Sequence, residues 1–230
     1  MTIYHLIAIV VLIIVLKFIV STPAFKGCFL EFQIDQKLKK LSVKLDGYHL
    51  RDIMLMEGER TSQIDNLFMT DKALYVIEAK NYKGFIYGSE YQDQWTLTQR
   101  KTKSYRSKKG KRYSRTYINK YTFYNPIKQN QTHIRFIEKN IAHSVPLINT
   151  IVFGNRALLK KIDGVSNAIV LNLKDLIRSI NSIEAQKIPS LSKPELEGNV
   201  WTLSKNNVLD KKMRKNHIRM ITDFSKNVKD

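Results

Sequence analysis

The chain has 230 residues, a formal net charge of +19 and one cysteine. That length suits one domain of about 200 residues beside a short extra segment. A hydrophobic share of 43% excludes wholesale disorder, a single cysteine excludes an internal disulfide framework and a cysteine zinc cage, and nine glycines with five prolines exclude collagen-like and low-complexity classes.

The chain opens on Ile3–Val20, IYHLIAIVVLIIVLKFIV, with Lys17 its only charge. As a helix it spans roughly 27 Å, close to a hydrocarbon core, and Lys17 can snorkel to the interface. A cleaved signal peptide needs a basic start and a shorter apolar run. The residues before Cys28 are not those of a lipoprotein site. The expectation is therefore an uncleaved anchor over 1–22. Lys26, Lys37, Lys39 and Lys40 follow it with no charge before it, so the remainder is expected on the cytoplasmic side of a single-pass membrane protein.

Leu30, Ile34, Leu38, Leu41 and Leu45 recur every three or four residues and predict a helix over Gly27–Leu45. Strands are expected at Tyr48–Met56, Gln63–Met69, Ala73–Lys80, around Tyr82–Tyr87 and at Gln94–Leu97. Arg100–Lys120 holds ten Lys or Arg and no acid, with Tyr105, Tyr113 and Tyr117 among them. It reads as an exposed loop or flexible hairpin. Asn125-Pro126 starts a helix, because Asn caps and Pro suits the first helical position. Strands follow at Leu147–Phe153 and Ala168–Asn172, then a helix over Leu173–Ile183. Ile188–Asn199 reads as a loop or linker before a basic tail. The order predicts an α/β class with one mixed central sheet flanked by helices. Its organisation is a domain over 23–185, with a basic insertion at 100–120, followed by a linker and basic tail over 186–230.

Side chains alternate along a strand, so Leu74, Val76, Glu78 and Lys80 share one face and Tyr75, Ile77 and Ala79 the other. Glu78 and Lys80 then emerge together at the end of an apolar strand. Asp65, on the preceding strand, is brought to the same sheet edge by a turn at Asp71. Two carboxylates with open water positions suit Mg²⁺ or Mn²⁺, and a nearby lysine can position water or stabilise charge on a phosphodiester. The same spacing is also that of an ordinary solvated charge pair. Glu31 lies at the edge of its helix's apolar stripe, where it is either a third metal ligand or a solvated side chain. The histidines show no ligand spacing, and His133, four residues after Gln129, reads as a surface or half-buried residue.

The runs Gln63-Ile64-Asp65, Tyr75-Val76-Ile77-Glu78-Ala79-Lys80-Asn81-Tyr82-Lys83-Gly84, Ile86-Tyr87-Gly88 and Asn125-Pro126-Ile127-Lys128-Gln129-Asn130 together resemble the nuclease-related domain (NERD), which is similar to the PD-(D/E)xK nuclease superfamily. The resemblance covers roughly Gly27–Asn172. It implies a nuclease-like fold, with Asp65 and Glu78 as metal ligands, Lys80 as catalytic lysine, Glu31 as the first-helix acid and Gln129 as a polar position near the site. Ile64 stands where the superfamily has proline, and the stretch 100–120 looks like an insertion.

Charge and aromatics complete the reading. Arg100, Lys101, Lys103, Arg106, Lys108, Lys109, Lys111, Arg112 and Arg115 can neutralise phosphates with steep salt dependence, and the interleaved tyrosines can stack on unpaired bases. An anionic lipid surface is the competing partner. The function expected is metal-dependent hydrolysis of DNA, or RNA, with little sequence specificity. The alternative is a non-catalytic nucleic-acid-binding or membrane-surface module that keeps the fold.

Overall fold

The computed structural model of the chain describes residues 3–108 and 110–217. Helices α1 (Ile3–Ser21) and α2 (Pro23–Lys44) come first, then strands β1 (Tyr48–Glu57), β2 (Arg60–Met69), β3 (Leu74–Lys80), β4 (Gly84–Ser89), β5 (Gln94–Arg106) and β6 (Arg112–Tyr124). Helix α3 (Pro126–Glu138), strands β7 (Leu147–Phe153), β8 (Ala157–Asp163) and β9 (Ile169–Asn172), a 3-10 turn at Leu173–Asp175, and helices α4 (Leu176–Glu184) and α5 (Lys193–Lys205) follow.

The strands form two mixed sheets where the sequence implies one. The first has the order β1-β2-β3-β7-β9 and the second β6-β5-β4-β8. In the first, β1, β2 and β3 pair antiparallel, while β7 joins β3 and β9 joins β7 in parallel. Parallel neighbours need a crossover, and the path from β3 to β7 takes β4, β5, β6 and α3 on the way. That detour supplies three of the second sheet's four strands, and β8 completes it after β7.

Strand β3 is buried on both faces, and its alternation sorts the core. Leu74 and Val76 pack with Ile134, Phe136 and Ile137 of α3 and with Leu196 and Leu203 of α5. Tyr75 and Ile77 pack with Leu30, Ile34, Leu38 and Leu41 of α2 and with Leu176 and Ile180 of α4. A third cluster joins the sheets, with Trp95 stacked on Phe153 at 6.2 Å. Gly88 lies under the Trp95 ring, which leaves no room for a Cβ. Gly84 has φ of 129° and sits against the Thr98 carbonyl. Two glycines of the family-like runs are thus there to let β4 approach β5 closely.

Of the two forms expected for Arg100–Lys120, the hairpin is the one observed: β5 and β6 pair in unbroken register from Gln94↔Tyr124 to Arg106↔Arg112. Thr, Tyr and Ile at alternate positions favour strands, and full exposure lets solvent screen the like charges. Ile188–Asn199, read as a linker, contains most of α5, whose Ser192 N–H donates to Glu195 at 2.8 Å and whose Pro194 lies in the first turn. That capping signature outweighs Gly198 in the helix interior. Strand β8 was not anticipated; only pairing with β4 organises its mixed sequence.

Residues Ile3–Ser21 are helical. Among the described residues no helix is long and apolar enough to cross a membrane. Lys109 and the end of the basic tail, 218–230, lie outside the described residues.

The packing of α5 makes a measurable difference. Leu203 is fully buried and Leu209 is 76% exposed. Leu203→Ala should lower the unfolding free energy in urea by about 2–4 kcal/mol, and Leu209→Ala should leave it within about 0.5 kcal/mol. Equal, negligible effects would mean that α5 is a tether and not part of the core.

Candidate active site

The ladder between β2 and β3 runs from Met69↔Leu74 to Asn66↔Ile77 and ends there. The next step is occupied by a side chain: the Ala79 N–H donates to Asp65 Oδ2 at 3.0 Å. Ile64 and Leu67, three residues apart, both belong to the core on the α3 side, so the alternation of β2 is broken across Asp65. On the neighbouring strand Asp52 has φ of 51°, in the left-handed region that favours glycine or a short polar residue. The sheet therefore splays at this edge, and the carboxylate fills the gap left in the ladder.

Glu78 and Lys80 project from β3 towards α3, as alternation requires. Lys80 Nζ donates to Glu78 Oε1 at 2.5 Å and to Gln129 Oε1 at 2.9 Å. The other Glu78 oxygen, Oε2, lies 3.4 Å from His133 Nε2. Ser62 Oγ is 2.6 Å from His133 Nδ1. With the hydroxyl donating to Nδ1, the ring proton sits on Nε2 and faces Glu78. Glu78 is 3% exposed and His133 7%, so this chain of contacts is screened little by water.

Helix α3 is held in place by a buried amide pair. Asn130 Nδ2 donates to the Val76 carbonyl at 2.7 Å and to Asn149 Oδ1 at 2.8 Å. Asn149 Nδ2 in turn donates to the Ile127 carbonyl. Asn125 caps the helix by accepting from Ile127 N–H, while its Nδ2 donates to the carbonyls of Ser89, Glu90 and Gln92. This clamp places Gln129 and His133, one turn apart, over Lys80 and Glu78.

The electrostatics separate the acids. Burial pushes the Asp65 carboxyl up, the charges of Glu78 and Glu31 add to it, and the result lies well above the ordinary carboxylate range despite the Ala79 hydrogen bond. Glu31 is exposed on α2 yet is also raised, by its partial burial first and then by the charges of Glu78 and Asp52. Burial alone would raise Glu78, but Lys80 and His133 outweigh it and hold the carboxyl at about 2. Burial likewise opposes the charge on Lys80, yet Glu78 more than offsets it and the ammonium is raised. The site is thus an ion pair beside two acids that repel each other and Glu78.

The structure brings Asp65, Glu78, Lys80 and Gln129 together as the sequence reading expected. Glu31 feels the charge of Glu78, and Gly27, one helical turn before it, lines the same cleft as Lys80. His133 is a correction. Far from the surface, it is buried against Glu78, and the i,i+4 spacing to Gln129 was the available signal. Ser62 carried no signal, since only the fold sets it beside α3. The cleft, of about 660 Å³, is walled by Tyr82, Lys83, Gln99, Arg100, Lys101 and Arg156 besides Lys80. Of the expected phosphate-binding residues, Arg100, Lys101, Lys103 and Arg106 lie on β5, Arg112 and Arg115 on β6, and Lys108 and Lys111 in the connecting turn.

A divalent cation would need hard oxygen donors, and the acids here supply that chemistry; a cation would also relieve the repulsion from Glu78 that adds to burial in raising Asp65 and Glu31. Among the described residues, however, no three His, Cys, Asp or Glu side chains are gathered closely enough to hold a metal ion.

The profile of the nuclease-related domain matches residues 26–154. An uncharacterized protein of Bacillus anthracis is 31% identical over 201 residues, an overlap covering 86% of this chain and 85% of that one. No solved structure matches.

Asp65 supplies a test of the site's charge balance. Its folded pKa lies above the unfolded value, so a cost to stability builds as the pH rises from the unfolded pKa to the raised one and is fully present above it, while below the unfolded pKa the carboxyl is neutral in both states and costs nothing. In EDTA at pH 8, Asp65→Asn should raise Tm by about 2–4 °C, the shift that ~1 kcal/mol produces in a domain of this size. The gain should fade on acidification. A lowered Tm at pH 8 would show that the carboxylate is stabilising as it stands.

Proposed function

This chain belongs to the nuclease-related domain family, and from that premise we propose that it is a Mg²⁺- or Mn²⁺-dependent nuclease that hydrolyses phosphodiester bonds of DNA with little sequence specificity. The observation that carries the reading is the convergence of Asp65, Glu78, Lys80 and Gln129 where β3 leaves the ladder with β2.

In this reading Glu31, Asp65 and Glu78 would hold the cation, and they must draw closer than they stand here to do so. When bound, it polarises the phosphodiester and lowers the pKa of a coordinated water. The residues of the chain prepare the rest. Gln129 and Glu78 fix the Lys80 ammonium at the cleft wall, where it orients the attacking water and stabilises charge developing on the phosphate oxygens. His133 steers Glu78, and Ser62 orients His133. Lys83, Lys101 and Arg156 line the cleft and draw the polyanion in. Because Glu78 is paired with Lys80 rather than gathered with Asp65 and Glu31, cation binding must compete with that ion pair.

The remaining expectations are carried forward in the same reading. The described aliphatic side chains of α1, including Leu6, Ile7, Ile9, Val10, Val11, Leu12, Ile13 and Ile14, are exposed, which supports a role as a single-pass membrane anchor. Positive charge after the helix supports a cytoplasmic location for the domain.

The test is cleavage of labelled plasmid and oligonucleotide by the full chain with Mn²⁺ or EDTA. Wild type with Mn²⁺ should cleave. Asp65→Ala and Lys80→Ala should each reduce the rate at least 100-fold, a range typical of removing a charge-stabilising group, and His133→Ala should cost about tenfold as an orienting partner. Salt-sensitive binding with no cleavage under any condition would replace the enzyme by a non-catalytic binding module.

A further inference from the structure

The register of β5 and β6 sorts the ribbon into two unlike faces. Trp95 and Leu97 point into the core between the sheets, so the same face continues outward through Gln99, Lys101, Lys103 and Tyr105. Their cross-strand partners are Asn119, Tyr117, Arg115 and Tyr113, and opposed residues share a face. Tyr105, Tyr113 and Tyr117 thus fall on one side, with Lys101, Lys103 and Arg115. The opposite side carries Thr102 paired with Thr116, hydroxyl to hydroxyl at 3.0 Å, together with Ser104, Ser114, Arg106 and Arg112.

We propose that the tyrosine face of the ribbon is a landing surface for a single strand of DNA, and that it delivers the strand to the cleft at Lys80. Only the destination rests on the nuclease reading. Tyr105 and Tyr113 lie stacked at 5.5 Å, with planes 16° apart, and remain 56% and 45% exposed. Their outer π-faces are open to unpaired bases. Lys103 Nζ sits 5.8 Å from the Tyr117 ring centre, which interleaves a phosphate contact with an aromatic surface. Gln99 and Lys101 of this face line the cleft beside Lys80, as does Arg100 from the other face, so the root of the ribbon meets the candidate active site.

Charge complementarity selects a polyanion: from Gln94 to Ile137 there is no acidic residue. The amides on this face are already engaged, Gln99 with the Lys83 carbonyl and Asn119 with the Tyr121 hydroxyl, and are not offered to base edges. What remains is cations and π-faces, the chemistry of sequence-tolerant single-strand binding rather than groove reading. The ribbon's threonines, a possible reader of a ribose 2′-hydroxyl, lie on the other side, which favours DNA over RNA.

The test uses the full chain in EDTA, with fluorescence anisotropy of a labelled oligo-dT 20-mer, an oligo-U 20-mer and a duplex of equal length. Two charge-matched variants, Lys103→Ser/Arg115→Ser and Arg106→Ser/Arg112→Ser, remove the same charge from opposite faces. The first should weaken oligo-dT binding at least tenfold and the second less than threefold. Tyr105→Ala/Tyr113→Ala should cost at least tenfold on oligo-dT and little on duplex, and the paired Phe variant should restore binding. Equal losses from both faces, tighter duplex or oligo-U binding, or an effect of Lys103 and Arg115 confined to phosphatidylserine vesicles would overturn the assignment. EDTA keeps the two readings apart. A chain that binds here but never cleaves with Mn²⁺ overturns the nuclease alone, and one that cleaves while treating both faces alike overturns the ribbon alone.

Discussion

A β-sheet edge must satisfy its backbone donors, and here the donor at Ala79 is satisfied by the carboxylate of Asp65. That hydrogen bond replaces a ladder contact between β2 and β3 at the end of an otherwise buried strand, whose last residues, Ala79 and Lys80, line the cleft. Buried peptide groups are seldom left unpaired, so Asp65 has a structural duty before any chemical one. Its position also forces it close to Glu78 and Glu31. Structural satisfaction and electrostatic strain come from the same side chain.

The rest of the molecule supports that edge from both sides. Helix α3 is locked to the central strands by Asn130 and Asn149, two buried amides whose bonds run to the Val76 and Ile127 carbonyls. A greasy helix surface alone could slide along the sheet, whereas directed amide bonds set its register. Gln129 and His133 inherit that precision, and through them Lys80 and Glu78. On the other face α2 brings Glu31 by packing Leu30 and Ile34 into the opposite core. The site therefore joins three separately packed layers, and the relative placement of α2 and α3 decides how its acids meet.

The second sheet changes what the site can receive. Strand β4 runs close against β5 because Gly84 and Gly88 admit the Thr98 carbonyl and the Trp95 ring. The root of the long ribbon thereby becomes a wall of the cleft. Strand register then determines which ribbon side chains face inward, and it divides tyrosines from threonines. Composition alone marks this stretch as basic, but it assigns no sidedness to it.

Local pattern in the sequence determined much of this protein. The periodicity of α2, the alternation that put Glu78 and Lys80 on one face, the Asn125-Pro126 helix start and the family-like runs all depend on neighbours a few residues apart, and the structure bears them out. Tertiary structure decided the rest. Division into two sheets and the pairing that makes β8 a strand depend on partners far along the chain. His133 and Ser62 illustrate the difference: 71 residues separate them, and only the packing of α3 on the sheet makes one orient the other beside Glu78. α5 has a local signal too, the capping box at Ser192 and Glu195, although Ile188–Asn199 reads as a linker. Its burial against Leu74 and Val76, a long-range contact, is what turns a short capped segment into a helix of the core.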